Sequence, residues 1–423
     1  MTRLSRRSFL GAAACAAMPL AGCGGTKVPA GRLGVRFWFS YGGRNRQVLE
    51  GLVSRFNAWQ DRVWILPTYQ GEYFESLTKL RSAIAANTEP VITHVVGEVI
   101  PYFAEAGVLE DLGGYPGVRE LDLVPALAQS GTWIGGDRKP LIALPFNRST
   151  PILYVNQDML DRAGLRPPET WGELRAHAKA LQRVQGGEVK TWGLVCPINW
   201  WFWVALVAQA GGTVVEADGT PTLGGEAGVK ALELWQQMVH RDGTMRPPPG
   251  RDYNAWDIAK GDFLSERTAM IYTSTAFVRY LDDNARFHAV AAPLPRDERR
   301  AVPTGGTFFL MMKDAPSEQK LAAWEFLRWM CEPQQTIEWS TGTGYMPVSE
   351  RAVKKLEAEG WYGRHPNDRV AMDSLAHAVP WPWAPNLFRV ERECIDPLLE
   401  QAVLLNRDSR EMLARARKQA MED

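Results

Sequence analysis

The groups most able to do chemistry are gathered in Pro145-Phe146-Asn147-Arg148-Ser149-Thr150-Pro151-Ile152-Leu153-Tyr154-Val155-Asn156. A carboxamide, a guanidinium and two hydroxyls stand between or beside two prolines. They donate and accept hydrogen bonds, and a guanidinium forms charge-assisted pairs with phosphate. Bond-breaking chemistry has no matching signal. The 6 histidines are scattered, and none of H-E-x-x-H, G-x-S-x-G and G-x-x-x-x-G-K-[ST] occurs. The 5 cysteines include no C-x-x-C, so neither a zinc site nor a disulfide framework is indicated. One bridge among Cys196, Cys331 and Cys394 is open, with buried free thiols the commoner outcome. No cofactor is expected. A secreted hydrolase would need a carboxylate pair or metal cluster assembled by the fold.

A second concentration is aromatic: Trp192, then Asn199-Trp200-Trp201-Phe202-Trp203. The chain holds 17 tryptophans, more than core packing easily uses, because each buried indole N–H needs a partner. Aromatic walls around a ligand account for the excess. Successive helical residues point about 100° apart, so these rings cannot all face one pocket.

Elements must carry these groups. Each proline disfavours the helical conformation in the residue before it, so Asn147 to Val155 is expected to be extended. Val35 to Ser40 and Val63 to Thr68 read as strands. Between them Val48, Leu49, Leu52, Val53 and Phe56 mark one helix face. Strand–helix–strand argues for a parallel α/β sheet, in which ligands bind beyond the carboxyl ends of the strands. That places Tyr41 and the Gln70-Gly71-Glu72-Tyr73 turn at a cleft rim. Thr170-Trp171-Gly172-Glu173 is a capping box opening a helix. Ser274 is placed to cap a helix at Phe277 to Asn284. At 423 residues the chain is long enough for two domains. Formal net charge is zero, and nothing argues for nucleic acid.

Several motifs, in order from about Val35 to about Gln401, resemble extracellular solute-binding proteins of ABC importers, in the branch that binds sugars and glycerol 3-phosphate. Ser149-Thr150-Pro151-Ile152-Leu153-Tyr154-Val155-Asn156 is similar to that family's first interlobe crossing. Pro67-Thr68-Tyr69-Gln70-Gly71-Glu72-Tyr73 is similar to its "PTY-x-G-x-Y" segment, and Thr341-Gly342-Thr343-Gly344-Tyr345-Met346-Pro347-Val348 to its third hinge. The resemblance implies ligand contacts from Tyr73, Glu98, Ser149, Ser274, Gly306, Tyr345 and Arg392, with Trp201 and then Trp200 from the aromatic cluster. Counting from Pro90 puts Gly97 on the acidic position and Glu98 one residue later. The segment between Tyr345 and Arg392 is shorter than in the family, so Arg389 is a substitute for Arg392. Tyr41 and Arg148 complete the expected site.

The implied fold is α/β and two-lobed, the periplasmic-binding-protein fold. Each lobe is a sheet flanked by helices, and three hinge crossings join the lobes. Lobe one is expected at 32–148 and 295–342, lobe two at 149–294 and 343–423. The implied function is capture of glycerol 3-phosphate or a glycerophosphodiester in the cleft for delivery to an ABC permease. The abundant tryptophans also suit a quaternary ammonium group by cation–π contact, and equally a mono- or oligosaccharide.

Residues 1–31 read as an address. Ser5-Arg6-Arg7-Ser8-Phe9-Leu10 resembles a twin-arginine export signal, and an apolar stretch too short to span a bilayer follows. Leu20-Ala21-Gly22-Cys23 resembles a lipobox in which Cys23 is lipidated. The expectation is a monomer outside the cytoplasmic membrane, held by its lipid alone.

Overall fold

The computed structural model describes residues 28–132, 140–216, 218–250 and 252–422. The export signal and Cys23 fall outside them. The first strands are β1 (Leu33–Phe39), β2 (Val63–Tyr69), β3 (Ile92–Val96), β4 (Leu144–Ser149) and β5 (Pro151–Asn156). Then come β6 (Arg183–Gln185), β7 (Glu188–Val195), β8 (Met245–Arg246), β9 (Thr268–Ser274) and β10 (Ala289–Ala292). The last are β11 (Val302–Pro303), β12 (Gly305–Met311) and β13 (Ala378–Val379).

Two sheets result. The first runs β2-β1-β3-β12-β4 and the second β10-β5-β9-β7-β6, with β8 beside β7. In the first, β1 pairs in parallel with β2 and β3, and β12 runs antiparallel to β3 and β4. The helix Gly43–Trp59 joins β1 to β2 and buries Leu49, Leu52, Val53 and Phe56 on the sheet, the face its spacing predicts. Val35, Phe37 and Phe39 lie in that core at alternate positions of β1. Each such side chain contributes about 1.5–3 kcal/mol by leaving water. The other face of the sheet, under Val95, Phe308 and Leu310, forms a separate cluster.

The chain changes sheet at Thr150. β4 belongs to the first sheet and β5 to the second, with no loop between them. Thr150 is fully buried, and its N–H donates to Thr275 Oγ1 at 3.0 Å. Every residue of β5 and β9 is buried, as befits central strands covered on both faces. The passage back comes later than residue 295. Leu294 and Val302 are buried with the second lobe's core, β11 pairs with β13, and the first sheet resumes only at Gly305. The third crossing follows the helix Pro333–Thr343, where Met346 bridges back to Arg148.

Thr170 caps the helix Trp171–Leu181 by accepting from the Glu173 N–H. The returning bond goes one residue earlier than the box predicts: Glu173 Oε2 accepts from the N–H of Glu169 at 2.7 Å. Cys196, Cys331 and Cys394 are buried free thiols. Cys331 lies in the first lobe's core and Cys394 in the second's, so those two do not meet. Among the described residues no helix is long and apolar enough to cross a membrane.

Candidate ligand-binding cleft

A cavity of about 150 Å³ lies between the lobes. At 10–15 Å³ for one water that is room for roughly ten, enough for a small solute. The first lobe contributes Tyr73, Phe74, Val96, Glu98, Gly305 and Gly306. Ser149 and Ser274 stand where the chain crosses, and Asn199, Trp200, Trp201, Trp256 and Phe277 face them from the second lobe. Tyr345, Phe388 and Glu391 close the ring.

Local folding explains these placements. Ser274 ends β9, and its Oγ accepts from the Ala276 N–H at 3.1 Å, so it both caps a turn and faces the cavity. Asn199 caps the helix Trp200–Gln209, its Oδ1 accepting from the Trp201 N–H. That registers Trp200 and Trp201 toward the cavity while Phe202 and Trp203 go fully into the core. Gly306 has φ +88°, and a Cβ there would fall 1.7 Å from the Asn147 carbonyl. Only glycine lets β12 approach β4 so closely at the cavity floor.

Behind the floor runs a hydrogen-bond chain. The Ser40 N–H donates to His94 Nε2 at 2.8 Å, which puts the ring proton on Nδ1. Nδ1 lies 2.7 Å from the Tyr41 hydroxyl and 2.8 Å from Thr307 Oγ1. Asn147 Oδ1 accepts from the Thr307 N–H at 2.6 Å, and its Nδ2 donates to the Tyr73 hydroxyl at 2.7 Å. Burial pushes the His94 imidazole down to about 3, so it stays neutral.

The cavity is acidic. Glu98 is 3% exposed and its Oε2 has no partner. Burial pushes its carboxyl up to about 7; its own backbone N–H and Arg148 oppose the shift. Glu391 is 1% exposed with neither oxygen partnered. Burial first, then the charges of Glu98 and Asp396, hold it well above the usual carboxylate range. No Lys, Arg or His is among the described lining residues. No cluster of three metal-ligating side chains occurs among the described residues either.

Of the residues expected from sequence, Tyr73, Glu98, Ser149, Trp200, Trp201, Ser274, Gly306 and Tyr345 meet at this cavity. Three stand behind it. Tyr41 turns its hydroxyl inward to His94 and Thr307. Arg148 alternates with Ser149 along β4 and therefore faces the other side of the strand. There it donates to Gly306 O and Thr304 Oγ1 and lies 4.3 Å over the Phe308 ring. Arg392 pairs with Asp396 at 2.9 Å and lies 4.0 Å over Phe74. Its substitute Arg389 donates to Ala420 O, toward the C-terminal helix. Glu391, Trp256, Phe277 and Phe388 were not foreseen. For Glu391 the signal was one residue away, in the match that singled out Arg392.

Residues 51–366 match the family described as bacterial extracellular solute-binding protein. The sn-glycerol-3-phosphate-binding periplasmic protein UgpB of Pectobacterium atrosepticum is 26% identical over 409 residues, covering 89% of this chain and 86% of that one. UgpB of Escherichia coli K12 is 25% identical over 378 residues, 84% of this chain and 83% of its own. Among solved structures, UgpB from Mycobacterium tuberculosis in complex with glycerophosphocholine superposes with TM-score 0.79 at 25% identity, over 92% of this chain and 97% of that one. The GacH receptor of Streptomyces glaucescens, solved unliganded and with acarbose, has TM-score 0.80 at 19% identity, over 92% and 98% of the two chains. That last likeness is one of fold.

Proposed function

The chain belongs to the bacterial extracellular solute-binding proteins of ABC importers, which bind and do not turn over their cargo, and we propose that its cargo is a phosphoglycerol compound, a glycerophosphodiester before sn-glycerol 3-phosphate. The lining carries the choice. A monoester brings a doubly charged phosphate, which needs cationic donors facing it, and the described lining offers two carboxylates and no cation. A diester brings one charge and a second alcohol for the aromatic wall of Trp200, Trp201 and Trp256 to cover. Support also comes from the relatives and from the solved complex with glycerophosphocholine.

The glycerol hydroxyls donate to Glu98, and Ser149, Ser274, Tyr73, Tyr345 and the Gly306 N–H supply the remaining polar contacts. Arg392, one ring behind the cavity at Phe74, meets the phosphate as the lobes close about the crossings at Thr150, Thr304 and Gly344. The closed complex is handed to the permease by a monomer tethered through lipid on Cys23. The wall of tryptophans with two acceptors favours a saccharide as the second reading.

Calorimetry of the delipidated protein against glycerophosphocholine, sn-glycerol 3-phosphate, maltose and trehalose tests this. The diester is expected to bind at least ~10-fold tighter than the monoester, a difference of about 1.4 kcal/mol, with no release of choline. Binding to disaccharides alone would overturn the reading.

A further inference from the structure

Glu391 has no role in the account so far. It is buried at the cavity wall with both oxygens unpartnered, and so is Oε2 of Glu98 facing the same space. Desolvated carboxylates without donors persist where something outside the fold meets them. Arg392 and Asp396 are the other charges that Glu391 feels, and Arg148 is the one beside Glu98. Three carboxylates therefore face two guanidiniums, and both guanidiniums lie outside the lining. Arg392 is engaged with Asp396 and the Phe74 face, and Arg148 with Gly306 O and Thr304 Oγ1. No guanidinium meets the unpartnered oxygens at the cavity.

The surrounding walls are ring faces and edges: Phe74, Trp200, Trp201, Trp256, Phe277 and Phe388. The glycerol hydroxyls occupy Glu98, which leaves both oxygens of Glu391 unmet. A cation favours the ionised form of Glu391 and pairs with it, and aromatic faces attract the same cation through their quadrupoles. Both features ask for the same chemistry.

We infer that Glu391 within its aromatic wall is the subsite for a cationic nitrogen on the solute and selects solutes carrying one. The inference rests on the cleft reading above and makes the second alcohol of the diester an amino alcohol. A quaternary ammonium fills the ring-lined space, and a primary ammonium donates directly to Glu391. The two are separate arms of the test.

Calorimetry compares glycerophosphocholine, glycerophosphoethanolamine and glycerophosphoglycerol, the last with the same phosphodiester and an uncharged head, on the mature chain and on Glu391→Gln. One or both cationic diesters should bind the unsubstituted protein ~10-fold or more tighter than glycerophosphoglycerol. Glu391→Gln should erase that gap by weakening the cationic diesters alone. Equal binding of all three by the unsubstituted protein overturns the subsite and leaves the diester reading standing. So does a Glu391→Gln loss shared equally by all three. If no diester binds but choline chloride does, and Glu391→Gln abolishes it, the subsite stands and the diester reading falls. If Glu391→Gln does not fold, the head-group panel on the unsubstituted protein decides.

Discussion

Trp201 packs against Gly305 across the gap between the lobes: a Cβ at Gly305 would stand 2.5 Å from Cζ2 of the indole. Gly305 opens β12 of the first lobe, and Trp201 is held in the second by Phe202 and Trp256, with ring centroids 5.9 and 6.0 Å away. The ring has little freedom to retreat, so an added methyl must push the lobes apart. Gly305→Ala is expected to lower solute affinity by about tenfold or more, with the overpacking itself costing ~1–3 kcal/mol. Calorimetry reads the affinity, and small-angle scattering with ligand should give a wider particle than the unsubstituted protein. Unchanged affinity would mean the lobes meet differently in the liganded state.

Asn147 is the joint between the floor of the cleft and the sheet behind it. It is fully buried, accepts from the Thr307 N–H and donates to the Tyr73 hydroxyl. Asn147→Ala removes that partner from both groups. The expected loss is roughly 1–3 kcal/mol of unfolding free energy, the cost of leaving the buried Thr307 N–H unsatisfied. Urea denaturation measures it. A loss well below 1 kcal/mol would show that water replaces the carboxamide.

His94 and Glu98 give stability opposite pH dependences. The His94 pKa is lowered from 6.5 to about 3, so the unfolded chain binds the extra proton and stability is lost as pH falls through that window. The Glu98 pKa is raised from 4.5 to about 7, so the folded chain holds the extra proton and stability is lost as pH rises through that window. Between about pH 5 and 6.5 the two oppose each other. Melting temperature should therefore fall more steeply on acidification in Glu98→Gln than in the unsubstituted protein, and less steeply in His94→Gln. Parallel curves for all three would remove both groups from the balance.

How much of this was legible differs residue by residue. The crossing at Thr150 was readable because two prolines restrict the backbone on either side of polar groups that a solvated strand would not bury. Arg148 was misplaced although the signal was there: strand alternation forbids it from sharing a face with Ser149. Glu391 was missed by one residue. Val390–Ile395 forms π-helical turns, which insert extra residues per turn and rotate the register. The family match put Arg392 at the site, and the widened turn brings Glu391 to the cavity instead. Trp256 was hidden differently. The helix Asp252–Leu264 is apolar enough on several sides that no single face declares itself.

Arg392 separates a residue that binds from one that merely packs. Its bond to Asp396 links neighbours four apart on one helical stretch, with side chains 22% and 11% exposed. The pair is largely buried, and a phosphate oxygen reaching the guanidinium would add a charge-assisted bond of its own. Its perch over Phe74 holds it one ring from the cavity. Arg392→Ala is therefore expected to weaken glycerophosphocholine by about tenfold or more while leaving choline chloride within about twofold. Paired calorimetric titrations measure the ratio. An equal loss for both ligands would assign Arg392 to the support of Phe74 and move the phosphate toward the hydroxyls of Ser149 and Ser274.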